Sequence, residues 1–343
     1  MLAKRVFLSS LFTLLLLLAG HGLLWLWLAG RLEEGFAAWA TARRASGWQV
    51  AHGPPERGGW PLSASLTLPG FRLSGGEGLL PGGIDWQAEA VTLRLAPPRL
   101  RELAVEMPGQ HQLRLGPLAG PAVAQRLVAT MPLDQGPIPP EIRLGGSGLR
   151  LDATEIGAAR LRIGNHLEAR EGEAAMTLTG GADAVLLPPG ASPLVASLGR
   201  SLDRIGLDLV LDGPLPGRGS AAGRAAAWRD AGGTLGLRSL ELRWGPVTAG
   251  GEATLGLDDR LQPMGAGTLR LEGADAALNA AAAAGLLPPR NAFAVRAVVA
   301  ILSRLPPEGG PPRLEVPLAL ERGQLNLARI PLARLPDWDW GQR

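Results

Sequence analysis

Four histidines, His21, His52, His111 and His166, are the only imidazoles in the chain, and no two stand three or four residues apart. A helical metal site needs that spacing to bring two ring nitrogens onto one face. No metal centre is therefore expected, and His111 and His166 read as solvated strand or turn residues. The chain has no cysteine, which removes disulfides, thiolate ligands and a cysteine nucleophile. Its sole lysine, Lys4, precedes a long apolar run. A phosphate-binding loop ending in Gly-Lys-Ser/Thr is thereby excluded, as is a lysine Schiff base in the body of the chain. The stretch GGSGL at Gly145 to Leu149 misses the G-x-S-x-G spacing that exposes a serine nucleophile at a strand-to-helix elbow. Gly217-Arg218-Gly219 opens like a dinucleotide loop but has no βαβ unit around it, and reads as a polar loop. Asp258-Asp259 and Glu33-Glu34 fit a turn and a helix end. A dispersed pair of carboxylates, as in glycosidases, stays open as an alternative because its members need not be close in sequence. No catalytic residue, cofactor or enzymatic activity is expected.

The charge pattern excludes another class. The pI is near 10.6, yet the formal net charge is only +3, because 31 acidic residues nearly offset 34 basic ones. All of those bases but Lys4 are arginines, standing singly in strand-like runs (Arg94, Arg114, Arg143, Arg162, Arg243, Arg270). A nucleic-acid surface needs clustered positive charge, so no nucleic-acid partner is expected.

The elements that carry these residues begin with an apolar run. From Val6 to Ala29 there is no formal charge. At about 1.5 Å per residue such a helix covers the roughly 30 Å hydrocarbon core of a bilayer with some tilt. Lys4 and Arg5 precede the run, while Arg31, Glu33 and Glu34 follow it, a bias that puts the N-terminus in the cytoplasm. Trp25 and Trp27 fall near the far interface. A cleaved signal peptide is the competing reading, but its apolar core would be unusually long, and the nearest Ala-x-Ala, Ala38-Trp39-Ala40, lies well beyond it. The expected organisation is a cytoplasmic tip at residues 1–5, a transmembrane signal anchor at 6–29, a helical stalk at 30–47 carrying Leu32, Phe36, Trp39 and Arg43 at helical spacing, and a β-rich domain at 48–343 outside the cytoplasm.

From Trp60 onward the dominant period is two: Leu62, Ala64, Leu66 and Leu68 alternate with Ser63, Ser65 and Thr67, and Val91-Leu93-Leu95, Leu113-Leu115 and Leu207-Leu209-Leu211 repeat the pattern. One apolar and one polar face per strand, with turns at Pro69-Gly70, Pro97-Pro98 and Asp212-Gly213-Pro214, argues for a long, curved antiparallel meander. The fold class is mainly β with a few helices. Leu235 and Leu237 share one parity, whereas Leu240, Leu242 and Trp244 take the other, so a β-bulge near Arg238-Ser239 is needed to keep both sets on one face. Helices are expected at Ser192 to Arg204, Ala222 to Arg229, Ala274 to Gly285 and Asn291 to Leu305, the last two separated by Pro288-Pro289. The chain closes with strands at Leu314 to Leu320 and Gln324 to Ala328. The tryptophans in or beside alternating runs read as core residues, and Trp338-Asp339-Trp340 as a last edge strand or a partner motif.

Several stretches together resemble one bacterial family of unknown function, DUF2125. They are Gly59-Trp60-Pro61-Leu62 opening the first strand, Trp228-Arg229-Asp230-Ala231-Gly232-Gly233, Trp244-Gly245-Pro246, the block from Gly251 to Leu257-Asp258, Pro263-Met264-Gly265, and Ile330-Pro331-Leu332 with Leu335-Pro336. The resemblance covers the chain after the anchor. Trp60 departs from it, since Tyr or Phe is more usual there. The family carries no established activity, and its motif residues shape backbones and cores. The resemblance implies a bacterial inner-membrane protein whose C-terminal domain lies in the periplasm. The Gly-x-x-x-Leu-x-Leu-Asp hairpin from Gly251 to Asp258 is also similar to AsmA-like envelope proteins, which handle lipids on curved sheets. The expected function is non-catalytic binding of a lipid or other amphiphile in an apolar groove margined by the helices at Ser192 and Asn291. The alternatives are a scaffold for another envelope protein and a hydrolase with a dispersed site.

Overall fold

The computed structural model describes residues 2–76, 82–116, 118–133, 138–166, 168–217, 219–287, 289–305, 311–327 and 330–340. Met1, Arg218, Pro288, Ala328 and Arg343 lie outside the described residues. The chain divides into two compact units, Met1–Pro139 and Pro140–Arg343.

The first unit begins with α1 (Leu2–Ala45), one unbroken helix. It is the one helix among the described residues long and apolar enough to cross a membrane. Its C-terminal half is not a free stalk. Leu28, Ala29, Leu32, Phe36 and Ala40 are buried, spaced to share one helical face. That face lies against β1 (Gln49–Ala51) and β3 (Ala64–Gly75). Ala29 is 0% exposed, so the last residues of the apolar run belong to the folded unit. The helix stops at Gly47, whose φ of 87° suits glycine, and the Trp48 N–H closes onto the Arg43 carbonyl at 3.0 Å. Arg44 then donates to the Val50 carbonyl at 2.7 Å, tying the helix end to β1.

β1 and β2 (Glu56–Gly58) pair antiparallel with opposite ends of β3. β4 (Ile84–Ala96) pairs with the other side of β3. Next come β5 (Arg99–Glu106) and β6 (Gly109–Leu115), end to end along β4, and β7 (Leu118–Pro132) spans both. Leu66, Leu68, Val91, Leu93 and Leu95 are buried in this unit. The stretch expected to open the first strand does not join it: Trp60 to Leu62 form the turn between β2 and β3.

The second unit is the expected meander. Its strands are β8 (Glu141–Leu151), β9 (Thr154–Asn165), β10 (Ala174–Leu186), β11 (Ser201–Asp212), β12 (Leu235–Trp244), β13 (Val247–Leu257), β14 (Pro263–Glu272), β15 (Arg313–Glu321), β16 (Gln324–Leu327) and β17 (Ile330–Arg334). Each pairs antiparallel with the next. Helices occupy the longer connections: α2 (Pro193–Leu198), α3 (Ala221–Asp230), α4 (Ala274–Ala283) and α5 (Pro289–Leu302). α2 ends well short of Arg204, because Gly199 takes a φ of 91° and Leu202 already enters β11. Ala274, Leu287, Val295 and Val299 from α4, α5 and their connection pack with Leu314, Val316 and Leu327 over the β14–β17 end of the sheet.

Because Phe36 is buried in the first unit rather than free in a stalk, Phe36→Ala should cost about 3 kcal/mol of stability. Urea unfolding of the detergent-solubilised chain, followed by tryptophan fluorescence, reads this directly. An unchanged midpoint would restore the free stalk.

Candidate functional site

The second unit is organised by the parity of its aliphatic residues. In β12, Leu237 stands opposite Ala253 and Leu240 opposite Gly251, so Arg238 and Ser239 together face Glu252 alone. On the other side of β12, Asp208 pairs with Ser239 and Leu209 with Leu237. This is the bulge the leucine spacing demands, and it brings Leu235, Leu237, Leu240, Leu242 and Trp244 onto one face. The register then runs in unbroken rows. Ile142, Ile163, Leu178, Leu209 and Leu237 are successive partners from β8 to β12, and so are Leu144, Leu161, Gly180, Leu207 and Leu240. On β13 the same rows continue into small residues, Ala253 and Gly251.

The opposite face is a ladder of ion pairs. Glu141 meets Arg143 and Arg162, and Asp183 meets Arg160 and Arg204. Arg204 also meets Glu241, Arg270 joins Glu252 to Glu315, and Arg313 meets Glu272. A hydrogen bond from Arg143 holds the Glu141 carboxyl below its ordinary value against the opposing cost of desolvation, with the charges of Arg143 and Arg162 adding to the lowering. These pairs are exposed, so each is worth little in stability, roughly 0–1 kcal/mol. They do account for arginines scattered singly along strands with a net charge close to zero. In the second unit the scatter is the charged side of its sheet, while Arg94 and Arg114 of the first unit meet Glu106 and Asp85.

The aliphatic face is covered unevenly. α4 and α5 close over β14–β17. α2 meets the β12 end at Trp244, whose indole N–H donates to the Gly199 carbonyl at 2.7 Å. α3 sits at the other end, where Trp228 donates to the Asp212 carbonyl at 2.7 Å and Arg229 to the Asp258 carbonyl at 3.2 Å. Within the second unit, and among the described residues, α4 and α5 pack on β13, β15 and β17, while α2 and α3 meet β12 and β11 at their ends. Leu144, Leu161, Leu178, Leu207, Leu209, Leu237, Leu240 and Leu242 are half-buried.

Among the described residues, the titratable groups of the second unit are held mainly in ion pairs. A cavity of about 690 Å³ is lined by Arg243, Arg270, Arg313, Glu272 and Glu315 among others, but Glu272 and Glu315 are held by Arg313 and Arg270. Among the described residues, no group of three or more His, Asp or Glu could hold a metal ion. His166 is exposed, as expected, whereas His111 is buried against its expected solvation. His111 shares the parity of Leu113 and Leu115 and faces inward at the break between β5 and β6. Its Nε2 lies 3.0 Å from the Met107 carbonyl and its Nδ1 3.3 Å from the Trp86 indole nitrogen. Nδ1 accepts from the indole N–H, so Nε2 carries the proton donated to Met107, which defines a neutral ring. Burial lowers its pKa below 6.5, against the Met107 hydrogen bond and the charge of Glu89.

The family described as "uncharacterized protein conserved in bacteria (DUF2125)" matches residues 25–336. The chain belongs to this family. Among curated proteins, none matches it. The DUF2125 match starts within α1, before the buried Leu28 and Ala29, and so takes in the helix segment that packs on the first sheet.

The motif residues of this DUF2125 chain are backbone devices around the aliphatic face and along α1. Gly232, with φ 73°, ends α3, and a Cβ on Gly233 would collide with the Trp228 indole. Gly245 makes the turn from Trp244 to Val247 together with Pro246; its φ is 54°, and a Cβ would come within 2.6 Å of the Leu198 carbonyl oxygen. At Gly265 a Cβ would collide with the Thr254 carbonyl, and at Gly251 it would press the Thr268 carbonyl at 3.2 Å. Leu257 pairs with Pro263 to open the next hairpin. Asp258 Oδ1 accepts from the Arg260 and Gln262 N–H groups, both at 2.8 Å, which shapes that turn. The Trp338–Trp340 segment forms no strand. Trp340 donates to the Leu261 carbonyl at 2.8 Å and the Trp338 N–H donates to Gln262 Oε1 at 2.7 Å, which docks it on the same turn. Gly59, Trp60 and Pro61 belong to the hairpin beside α1.

The state of His111 sets a pH dependence. Its folded pKa is depressed, so its contribution is complete above the unfolded value of about 6.5 and is lost as the pH falls toward the folded value, where the unfolded chain gains the proton first. Urea midpoints measured from about pH 8 to about pH 5 should fall more steeply for the wild type than for His111→Gln. Parallel curves would show that the ring is not held neutral.

Proposed function

We propose that this DUF2125 protein is a membrane-anchored, non-catalytic module that binds a lipid or related amphiphile on the aliphatic face of β8–β12. One observation carries the reading: rows of leucine and isoleucine, interrupted at Gly180, continue in register across five strands and are half-buried, while the helix pair α4–α5 packs over β14–β17 instead. Soluble monomers rarely leave a contiguous apolar surface of this kind without a use for it. An acyl chain laid across such rows gains about 0.8 kcal/mol per buried methylene. The same polypeptide carries a helix fit to cross a bilayer, which keeps the face near a supply of such chains. In this reading α1 crosses the bacterial inner membrane with Lys4 and Arg5 on the cytoplasmic side, and both units lie in the periplasm.

A scaffold for another envelope protein is the second reading, and it draws on α5. Phe293 is 84% and Ile301 79% exposed. With Ala297 between them at four-residue steps they form an apolar stripe on the side of α5 away from Val295 and Val299.

The two readings separate by where a reactive acyl chain attaches. The full chain, reconstituted with a phospholipid carrying a diazirine on its acyl chain, should yield adducts on β10–β12 around Leu178, Leu209 and Leu237. Adducts confined to α1, as for any membrane span, would leave the aliphatic face without a lipid role and favour the scaffold.

A further inference from the structure

The turn between β2 and β3 runs along the apolar part of α1. Arg57 in β2 is paired with Glu33 at 2.6 Å. One residue later, the Gly58 carbonyl accepts from the Trp25 indole N–H at 3.2 Å, and the Pro61 carbonyl lies 2.7 Å from His21 Nε2. The Trp60 ring stands 4.8 Å from His21 and 6.1 Å from Trp25, centre to centre, and lies over Gly22, where no side chain intervenes. The hairpin thus points from Glu33 back toward the N-terminus of α1. From Val6 to His21 the helix rises about 24 Å at about 1.5 Å per residue. That is less than the roughly 30 Å hydrocarbon core that begins beyond Lys4 and Arg5, and helix tilt only deepens the position.

We propose that the Gly59–Leu62 turn is a second membrane-seated element, inserted beside α1 into the leaflet at the C-terminal end of the span, with Trp60 and Leu62 among acyl chains and headgroup carbonyls. The proposal rests on the anchor reading of α1 and is independent of the lipid-binding face. Three features fit a turn built for that depth. Leu62 is 82% and Trp60 48% exposed, and indoles settle at bilayer interfaces. Irregular backbone at membrane depth is tolerated only where its polar groups find partners. Here the Gly58 and Pro61 carbonyls take Trp25 and His21, and the Gly59 carbonyl takes the Ser63 N–H at 2.9 Å. His21, a polar interruption of the apolar run, acquires a purpose: it donates to the turn. Gly59 itself is constrained by a φ of 90° and by Ser63, whose carbonyl oxygen a Cβ would meet at 2.7 Å.

The chain has no cysteine, so single nitroxide labels can be placed cleanly in the full-length protein, reconstituted in phosphatidylethanolamine–phosphatidylglycerol vesicles. Leu62→Cys tests the turn, Leu15→Cys reports the span, and Ala153→Cys, in the exposed β8–β9 turn, reports water. Collision with oxygen should be high and collision with a nickel chelate several-fold lower at 62 than at 153, matching the behaviour at 15. If 62 collides with nickel as 153 does while 15 stays shielded, the turn lies in water and the proposal falls with the anchor intact. If 15 is also open to nickel, the anchor fails and the proposal fails with it.

Discussion

The second unit depends on keeping most of its large aliphatic side chains on one side of a sheet that runs through ten consecutive strands in sequence order. Side-chain direction alternates strictly along a strand, so a single extra residue reverses everything after it. The Arg238–Ser239 bulge absorbs such a reversal within β12, and the register shift at Asp208/Leu209 on β11 is the same event seen from the neighbouring strand. With parity preserved, leucines face leucines on one side and arginines face carboxylates on the other. Bulges also bend and twist the strand that carries them. The glycines opposite backbone carbonyls, Gly265 and Gly251, let neighbouring strands approach where any side chain would push them apart.

α1 supplies the second constraint. One continuous helix provides both an apolar surface fit for a bilayer and the face that Leu28, Leu32 and Phe36 bury against β3. No break in the helix separates the two parts, and Arg57 of β2 pairs with Glu33 on it.

Local patterns in the sequence carried much of this. The period-two runs and the leucine parity switch located the meander and its bulge, because a half-buried antiparallel strand writes its exposure directly into alternating residues. Helices at Ala221 and Ala274 were legible from composition and stop signals. The expected helix through Arg204 overran because Leu198 and Leu202 fit a helical stripe, while Leu202 also fits the alternation that β11 follows around a register shift. His111 was misread although it shares the parity of Leu113 and Leu115; a polar side chain on an inward position signals burial only if its hydrogen-bond partners are known. The role of Gly59-Trp60-Pro61 was not legible at all. Its partners, His21 and Trp25, are over thirty residues away on an element that composition assigns to lipid. The seam Leu28, Leu32, Phe36, Ala40 was present in the sequence, but an apolar face reads the same whether lipid or protein covers it.

The account turns on the aliphatic face of β8–β12 being a surface for acyl chains. Native mass spectrometry of the full chain released from nanodiscs, compared with Leu209→Glu/Leu237→Glu, tests this most directly. The wild type should retain phospholipid beyond the shell around α1, and the charged pair should lose that retained fraction while keeping its fold by circular dichroism. Equal lipid retention by a folded variant would contradict the account.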